Sequence, residues 1–260
     1  MSHEPRIALL IDADNSPADM IDEVLDELAK EGVINIRRAY GNWKSVHLNA
    51  WVALLHDFAI QPIQQFDYTK GKNATDAAMI IDAMDLLYSQ RLDGFGVVSS
   101  DSDFTPLVMR LRANGLKVFG FGEQKTPKPF VNACSKFLYL ENLRRPEEAA
   151  SSAPAESAPA AEPDGNGAVP SAPVRTDAKT LRGDTRLVSL LRKAVEAAAD
   201  EEGWANLSAV GQHISKQASF DARNYGYAKL SDLFQAIGLF DVRRTHNKHL
   251  QVRDPRVARP

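Results

Sequence analysis

Only one of the 260 residues is a cysteine. Cys134 can form no internal disulfide, which fits a reducing cytoplasm, and it reads as a small buried hydrophobe rather than a nucleophile. Long apolar runs are also missing: none approaches the roughly 18–20 residues of a membrane-spanning helix, so no membrane association is expected. Residues 1–6 are too polar and too short to read as a secretory signal, and export is not expected. The six histidines bring no Cys/His cluster with them, and His246 and His249 lack the further ligands a zinc site needs. No internal repeat is visible.

The chain does have the 44% hydrophobic and 25% charged composition of an ordinary globular protein. Its length suits two modest domains and a linker. Residues 147–178 are mostly Ala, Pro, Ser, Glu and Gly with five prolines, which predicts a disordered, semi-extended tether between domains at 1–146 and 179–260. The net charge of −3 is unevenly spread: −3 in 1–146, −5 in 147–178 and +5 in 179–260. A basic C-terminal segment on an otherwise acidic chain fits a module for polyanions.

In the first domain, short apolar runs alternate with helical patterns. Residues 7–11, 33–39, 59–66, 94–99 and 116–122 read as strands, with 137–140 as a short edge strand. Ser16, Pro17 and Asp19 predict a helix start, with Met20, Val24 and Leu28 inward and Gly32 as the stop. Ser45 opens a second helix through His56 that presents Leu48, Trp51, Val52 and Leu55. Thr75 caps a third in which Ala77, Ile80, Ile81, Met84 and Leu87 recur, and residues 104–113 form a fourth. This rhythm predicts an α/β fold with a mostly parallel sheet and helices on both faces. In such sheets ligands bind beyond the carboxyl ends of the strands.

Acidic side chains collect at that end. Asp12 and Asp14 follow the first strand, Asp101 and Asp103 the fourth, and Asp76 lies in the first turn of the third helix. Carboxylates repel, so grouping them is costly unless a divalent cation sits between. Oxygen donors without Cys or His suit Mg²⁺ or Mn²⁺, and such a site suggests phosphoryl-transfer chemistry on nucleic acid. Each acid alone has a plainer use. Asp12 could cap a turn, Asp76 could complement a helix N-terminus, and Asp103 could cap the next helix. Asp82 lies about 240° around the helix from Asp76, so it and Asp85 read as solvated surface. Tyr40 and Trp43 could stack on unpaired bases or pack in the core.

Three segments carry a family resemblance. Ile11-Asp12-Ala13-Asp14-Asn15, Lys72-Asn73-Ala74-Thr75-Asp76 and Ser99-Ser100-Asp101-Ser102-Asp103-Phe104 resemble the motifs of NYN domains, of the PIN-like ribonuclease fold, over residues 5–142. The resemblance implies a Rossmann-like sheet and Mg²⁺- or Mn²⁺-dependent endonucleolytic cleavage of RNA. It implies Asp12, Asp76, Asp101 and Asp103 as catalytic metal ligands, Asn15 as a polar neighbour and Lys72 as a phosphate contact. Ser100 stands where such motifs often have Gly, which sets a hydroxyl beside the site. On this reading Asp12, Asp76 and Asp101 converge on one point, and Asp103 lies at the rim or turns to cap the helix backbone.

In the C-terminal segment, Leu187, Leu190, Leu191, Ala194, Val195 and Ala198 form an amphipathic helix. A short helix starts at Asn206, and residues 227–237 form a third. Phe240, Val242, Leu250 and Val252 alternate in a hairpin turned at Thr245-His246-Asn247-Lys248. The pattern predicts a small winged helix-turn-helix. The run from Phe220 to Tyr227, then Lys229 to Phe234, resembles OST-HTH (LOTUS) domains over residues 181–255. That implies binding of RNA or docking of a protein partner, with Arg223, Lys229, Arg243, Arg244, Lys248 and His249 as candidate phosphate contacts. Three readings follow: a metal-dependent endoribonuclease with an RNA-binding module, a non-catalytic RNA-binding regulator, and a protein-docking adaptor.

Overall fold

Six strands of the first domain alternate with helices: β1 (Arg6–Asp12), α1 (Ile21–Ala29), β2 (Val33–Gly41), α2 (Asn49–Leu55), β3 (Gln61–Gln64), α3 (Ala74–Ser89), β4 (Gly94–Val98), α4 (Thr105–Ala113), β5 (Lys117–Gly122), α5 (Lys128–Ala133) and β6 (Lys136–Tyr139). The structure, a computed structural model, describes residues 4–66, 74–143, 175–245 and 249–256. Lys72, Asn73, His246, Asn247, Lys248 and most of the predicted tether lie outside the described residues. The sheet is parallel throughout, in the order β3-β2-β1-β4-β5-β6.

Strand β1 is a continuous apolar run because helices cover both its faces. Leu9 and Ile11 pack with Met20, Val24, Leu28 and Trp51 on one side. Ala8 and Leu10 pack with Met79, Ala83, Leu86 and Phe104 on the other. Cys134 is buried in that second layer, and desolvation pushes its thiol up to about 12; it behaves as a small hydrophobe.

Several local expectations are corrected. Helix α3 turns Met79, Ala83 and Leu86 inward, whereas Ala77 and Ile81 are exposed. Its sequence is apolar almost all round, so spacing alone fits more than one face. Val52 of α2 is also exposed. Ser16 does not cap a helix: its hydroxyl donates to the Val98 carbonyl at 3.3 Å, and α1 begins only after a short turn at Ala18–Met20. Thr75 lies within α3, where its hydroxyl donates to Asp14 at 2.9 Å. Asp82 is not simply solvated, because it accepts hydrogen bonds from Arg38 and the buried Tyr40. Trp43 is half-buried against the core, and its indole donates to the Ile63 carbonyl at 3.1 Å.

Gly32 serves the fold through close approach: a Cβ there would lie 2.3 Å from the Pro5 carbonyl oxygen. Since backbone cannot yield as a flexible side chain does, Gly32→Ala is expected to cost about 1–3 kcal/mol. Urea unfolding would check this, and an unchanged midpoint would contradict it.

The second domain comprises α6 (Ala178–Gly183), α7 (Thr185–Ala198), β7 (Ala205–Asn206), α8 (Leu207–Gln217), α9 (Leu230–Ile237), β8 (Asp241–Arg244) and β9 (Leu250–Arg253). The wing is three-stranded rather than two-stranded, in the order β7-β9-β8. Helix α9 starts later than predicted. Left-handed Gly226 (φ 79°) closes a preceding turn at Ala222–Tyr225. The last residues of the predicted tether, 175–178, are part of the second domain's structure. The Asp177 side chain caps α6, and Tyr227 Oη donates to the Thr176 carbonyl at 2.7 Å.

The two domains touch, where the tether alone predicts little shared interface. Each keeps its own apolar cluster, and the contact is polar. Asn224 Nδ2 donates to the Phe137 carbonyl at 2.8 Å, and the Tyr139 backbone N–H donates to Asn224 Oδ1 at 3.2 Å. Arg223 Nη1 lies 2.7 Å from Glu27 Oε1.

Candidate active site

The strand order reverses between β1 and β4, and the chain leaves their carboxyl ends toward opposite faces of the sheet. Ile11 pairs with Val98, which sets Asp12 beside Ser99 at the mouth of this crevice. Ser99 Oγ donates to Asp12 Oδ2 at 2.9 Å, and Asn15 Nδ2 contacts both Asp12 oxygens at 3.2 Å. Asp12 is fully buried. Desolvation raises its pKa to about 6; the hydrogen bonds from Ser99 and Asn15 oppose this, and the charges of Asp76 and Asp14 add to it.

The other carboxylates form the surroundings. Asp14 accepts from Thr75 on α3 and from the Asn42 backbone N–H at 3.3 Å. Asp76 is buried, and its pKa is raised by desolvation first and then by the charges of Asp101, Asp103 and Asp14. Asp101, not Asp103, caps the turn leading into α4: it accepts from the Asp103 backbone N–H at 2.8 Å, while Asp103 sits exposed at the rim. Ser100 Oγ accepts from the Glu123 backbone N–H at 2.9 Å, tying the ends of β4 and β5 together.

The acids are coupled electrostatically without being gathered. Among the described residues, no group of three or more His, Cys, Asp or Glu side chains stands close enough to hold a metal ion. Asp12, Asp14 and Asp101 are each held by hydrogen bonds of their own: from Ser99 and Asn15, from Thr75 and the Asn42 amide, and from the Asp103 amide. The donors themselves fit a hard cation, being oxygen throughout, with two of the carboxylates buried.

Beside them opens a cleft of about 590 Å³, lined by Asp14, Asn15, Ser16, Ser100, Asp101, Ser102, Glu123 and Lys125. Lys125, whose ammonium lies 2.7 Å from Glu123, brings a cation to this acidic wall. Sequence reading missed Ser99, Thr75, Glu123 and Lys125. The first two lie within the quoted motifs. The others follow β5, the next strand to end at this edge, and that position was the available signal.

In the second domain the basic residues divide. Lys229 and Arg244 are exposed. Arg243 stacks on Trp204, its guanidinium carbon 3.8 Å from the ring centroid, and Arg253 lies 4.7 Å from the same centroid. Trp204, which sequence reading passed over, thus underlies a cationic wing. Arg223 faces the first domain instead, held by Asp221 and Glu27.

Two family profiles match the chain: NYN domain over residues 6–141 and OST-HTH/LOTUS domain over residues 182–252. It is 32% identical over 130 residues to an uncharacterized protein, MJ0482, of Methanocaldococcus jannaschii, covering 46% of this chain and 49% of that one. The chain therefore spans about half the length of this curated relative. Among solved structures, a protein of unknown function, VPA0982 of Vibrio parahaemolyticus, matches with TM-score 0.45 and 19% identity, covering 54% of this chain and 94% of that chain. An uncharacterized protein from locus NE0665 of Nitrosomonas europaea matches with TM-score 0.24 and 29% identity, covering 40% and 90% respectively. With its PIN-like sheet, its acidic motifs and a small winged module behind them, the chain belongs to the NYN domain family and carries a C-terminal OST-HTH/LOTUS domain.

Proposed function

We propose that the protein is a cytoplasmic, metal-dependent endoribonuclease whose C-terminal domain binds RNA. One observation carries this reading: buried Asp12 at the switch point, wired to Ser99 and Asn15, within the field of Asp14 and Asp76. Asp12, Asp76, Asp101 and Asp103 would hold Mg²⁺ or Mn²⁺, with Asp14 beside them. When bound there, the cation offsets carboxylate and phosphate charge and makes water a better nucleophile. Ser99 and Asn15 fix the orientation of Asp12, and Thr75 fixes that of Asp14. Lys125, and Lys72 by motif match, would pair with phosphates entering the cleft. Hydrolysis would form a bond from water oxygen to phosphorus and break the bond to the leaving ribose oxygen, the attacking water giving up a proton to solvent and the ribose oxygen taking one from it.

RNA cleavage by the full chain is expected with Mg²⁺ or Mn²⁺ and should stop with EDTA. Asp101→Asn should reduce it roughly a hundredfold or more, the scale of losing one charge-stabilising group. Cleavage that ignores EDTA, or that survives Asp101→Asn, would overturn the reading. A non-catalytic RNA-binding regulator is favoured by one observation, the ungathered carboxylates; both proteins would then bind RNA and neither would cut it. If RNA is ignored even at low salt, a protein-docking role remains for the C-terminal domain. Within the enzyme reading, Arg243→Ala should lower the slope of log affinity against log salt by about 1, the signature of one lost phosphate contact. An unchanged slope would place RNA elsewhere.

A further inference from the structure

We propose that the contact between the two domains is a clasp that RNA opens, a phosphate oxygen displacing Glu27 from the Arg223 guanidinium. The contact joins no apolar layer of one domain to the other among the described residues. Its strength therefore rests on charge and on the paired hydrogen bonds of Asn224 with Phe137 and Tyr139. Polar domain interfaces of this kind permit relative motion.

Arg223 is built for exchange. Its Nε and Nη2 are each 3.0 Å from Asp221 in its own domain, so the guanidinium stays oriented whichever partner it meets. The remaining Nη1 points across the boundary to Glu27, 2.7 Å away. A phosphate oxygen can accept from Nη1 as the Glu27 carboxylate does, in a charge-assisted hydrogen bond. Lys136 is likewise divided, 3.2 Å from Glu31 and 3.8 Å from Asp221. Lys30, Lys136 and Arg223 all line one cleft of about 450 Å³ between the domains. Closed, its cations are matched by carboxylates; open, Arg223 joins the basic surface of the C-terminal domain.

Hydrogen exchange of the Tyr139 amide and small-angle scattering report the clasp in the full chain, without reference to cleavage. Glu27→Gln and Arg223→Gln, one from each side, should each speed that exchange about tenfold, the factor that about 1.4 kcal/mol of lost closure gives. Each should also enlarge the radius of gyration. If both Gln variants fold, with unchanged exchange and scattering, the clasp is refuted. The competition with RNA rests on the reading under Proposed function and has its own arm, titration with a single-stranded RNA. Glu27→Gln should tighten binding and Arg223→Gln should not; equal effects would refute competition while leaving the clasp and the nuclease reading to their separate measurements.

Discussion

Replacing Asp12 by asparagine is expected to stabilise the protein by about 3 kcal/mol at pH 7 in the absence of divalent metal and, on the proposed nuclease reading, to abolish cleavage. Burial pushes the folded carboxyl up to about 6, against an ordinary value of 3.8. A raised carboxyl pKa means that the folded state holds its proton longer than the unfolded chain does. Stability from this group is therefore fully present below about pH 4 and declines as pH rises to about 6, to a loss near 3 kcal/mol. Asparagine removes that loss, and because the hydrogen bonds from Ser99 and Asn15 already act within the shifted value, the gain is about 3 kcal/mol. The gain should shrink toward zero as pH falls below about 4. Urea unfolding of both proteins at pH 4 and pH 7, in the same buffer with EDTA, measures the difference. A destabilised variant at pH 7, or a gain that does not change with pH, would show that Asp12 is not held at an electrostatic disadvantage.

Divalent metal should act on the same strain from the other direction. With Mn²⁺ at about 100 times its dissociation constant, the wild type should gain about 2.7 kcal/mol, because the ion binds the folded arrangement and not the dispersed chain. Asp12→Asn should lose most of that response. A cation drawing on Asp101 would reorganise the carboxylate that accepts from the Asp103 backbone N–H. That reorganisation predicts a shifted Asp103 amide resonance on titration with Mg²⁺. A melting temperature unmoved by millimolar Mn²⁺ would count directly against a metal site here.

The parts of this site visible in the sequence are those written in continuous patterns. Parallel strands buried on both faces appear as apolar runs, and an acid just past such a run lands at the ligand-binding end of the sheet. That is why Asp12 and Asp101 were legible. The supporting contacts are long-range and leave no local trace. The hydroxyl of Thr75 suits a helix cap equally well, yet it is spent on Asp14, 61 residues away. Asp101 and Asp103 are interchangeable as caps on paper, and backbone geometry decides between them. Asp82 looked solvated because Arg38 and Tyr40, which bind it, come from β2, a separate run of the chain. The third strand of the wing, Ala205–Asn206, is too short to show any alternation.

Asn224 has a consequence for how molecules of this protein behave toward one another. An outermost strand offers unpaired backbone groups on which a foreign strand can add, the usual route to sheet-to-sheet aggregation. On β6 the Phe137 carbonyl and the Tyr139 amide are two such groups, and the Asn224 amide occupies both. It does so with one side chain and contributes no strand of its own, so it offers no new edge at this point. The second domain thereby covers two backbone groups of the first domain's edge strand, and self-association is expected to depend on that contact. Asn224→Ala should leave dilute protein folded yet lower the concentration at which it self-associates.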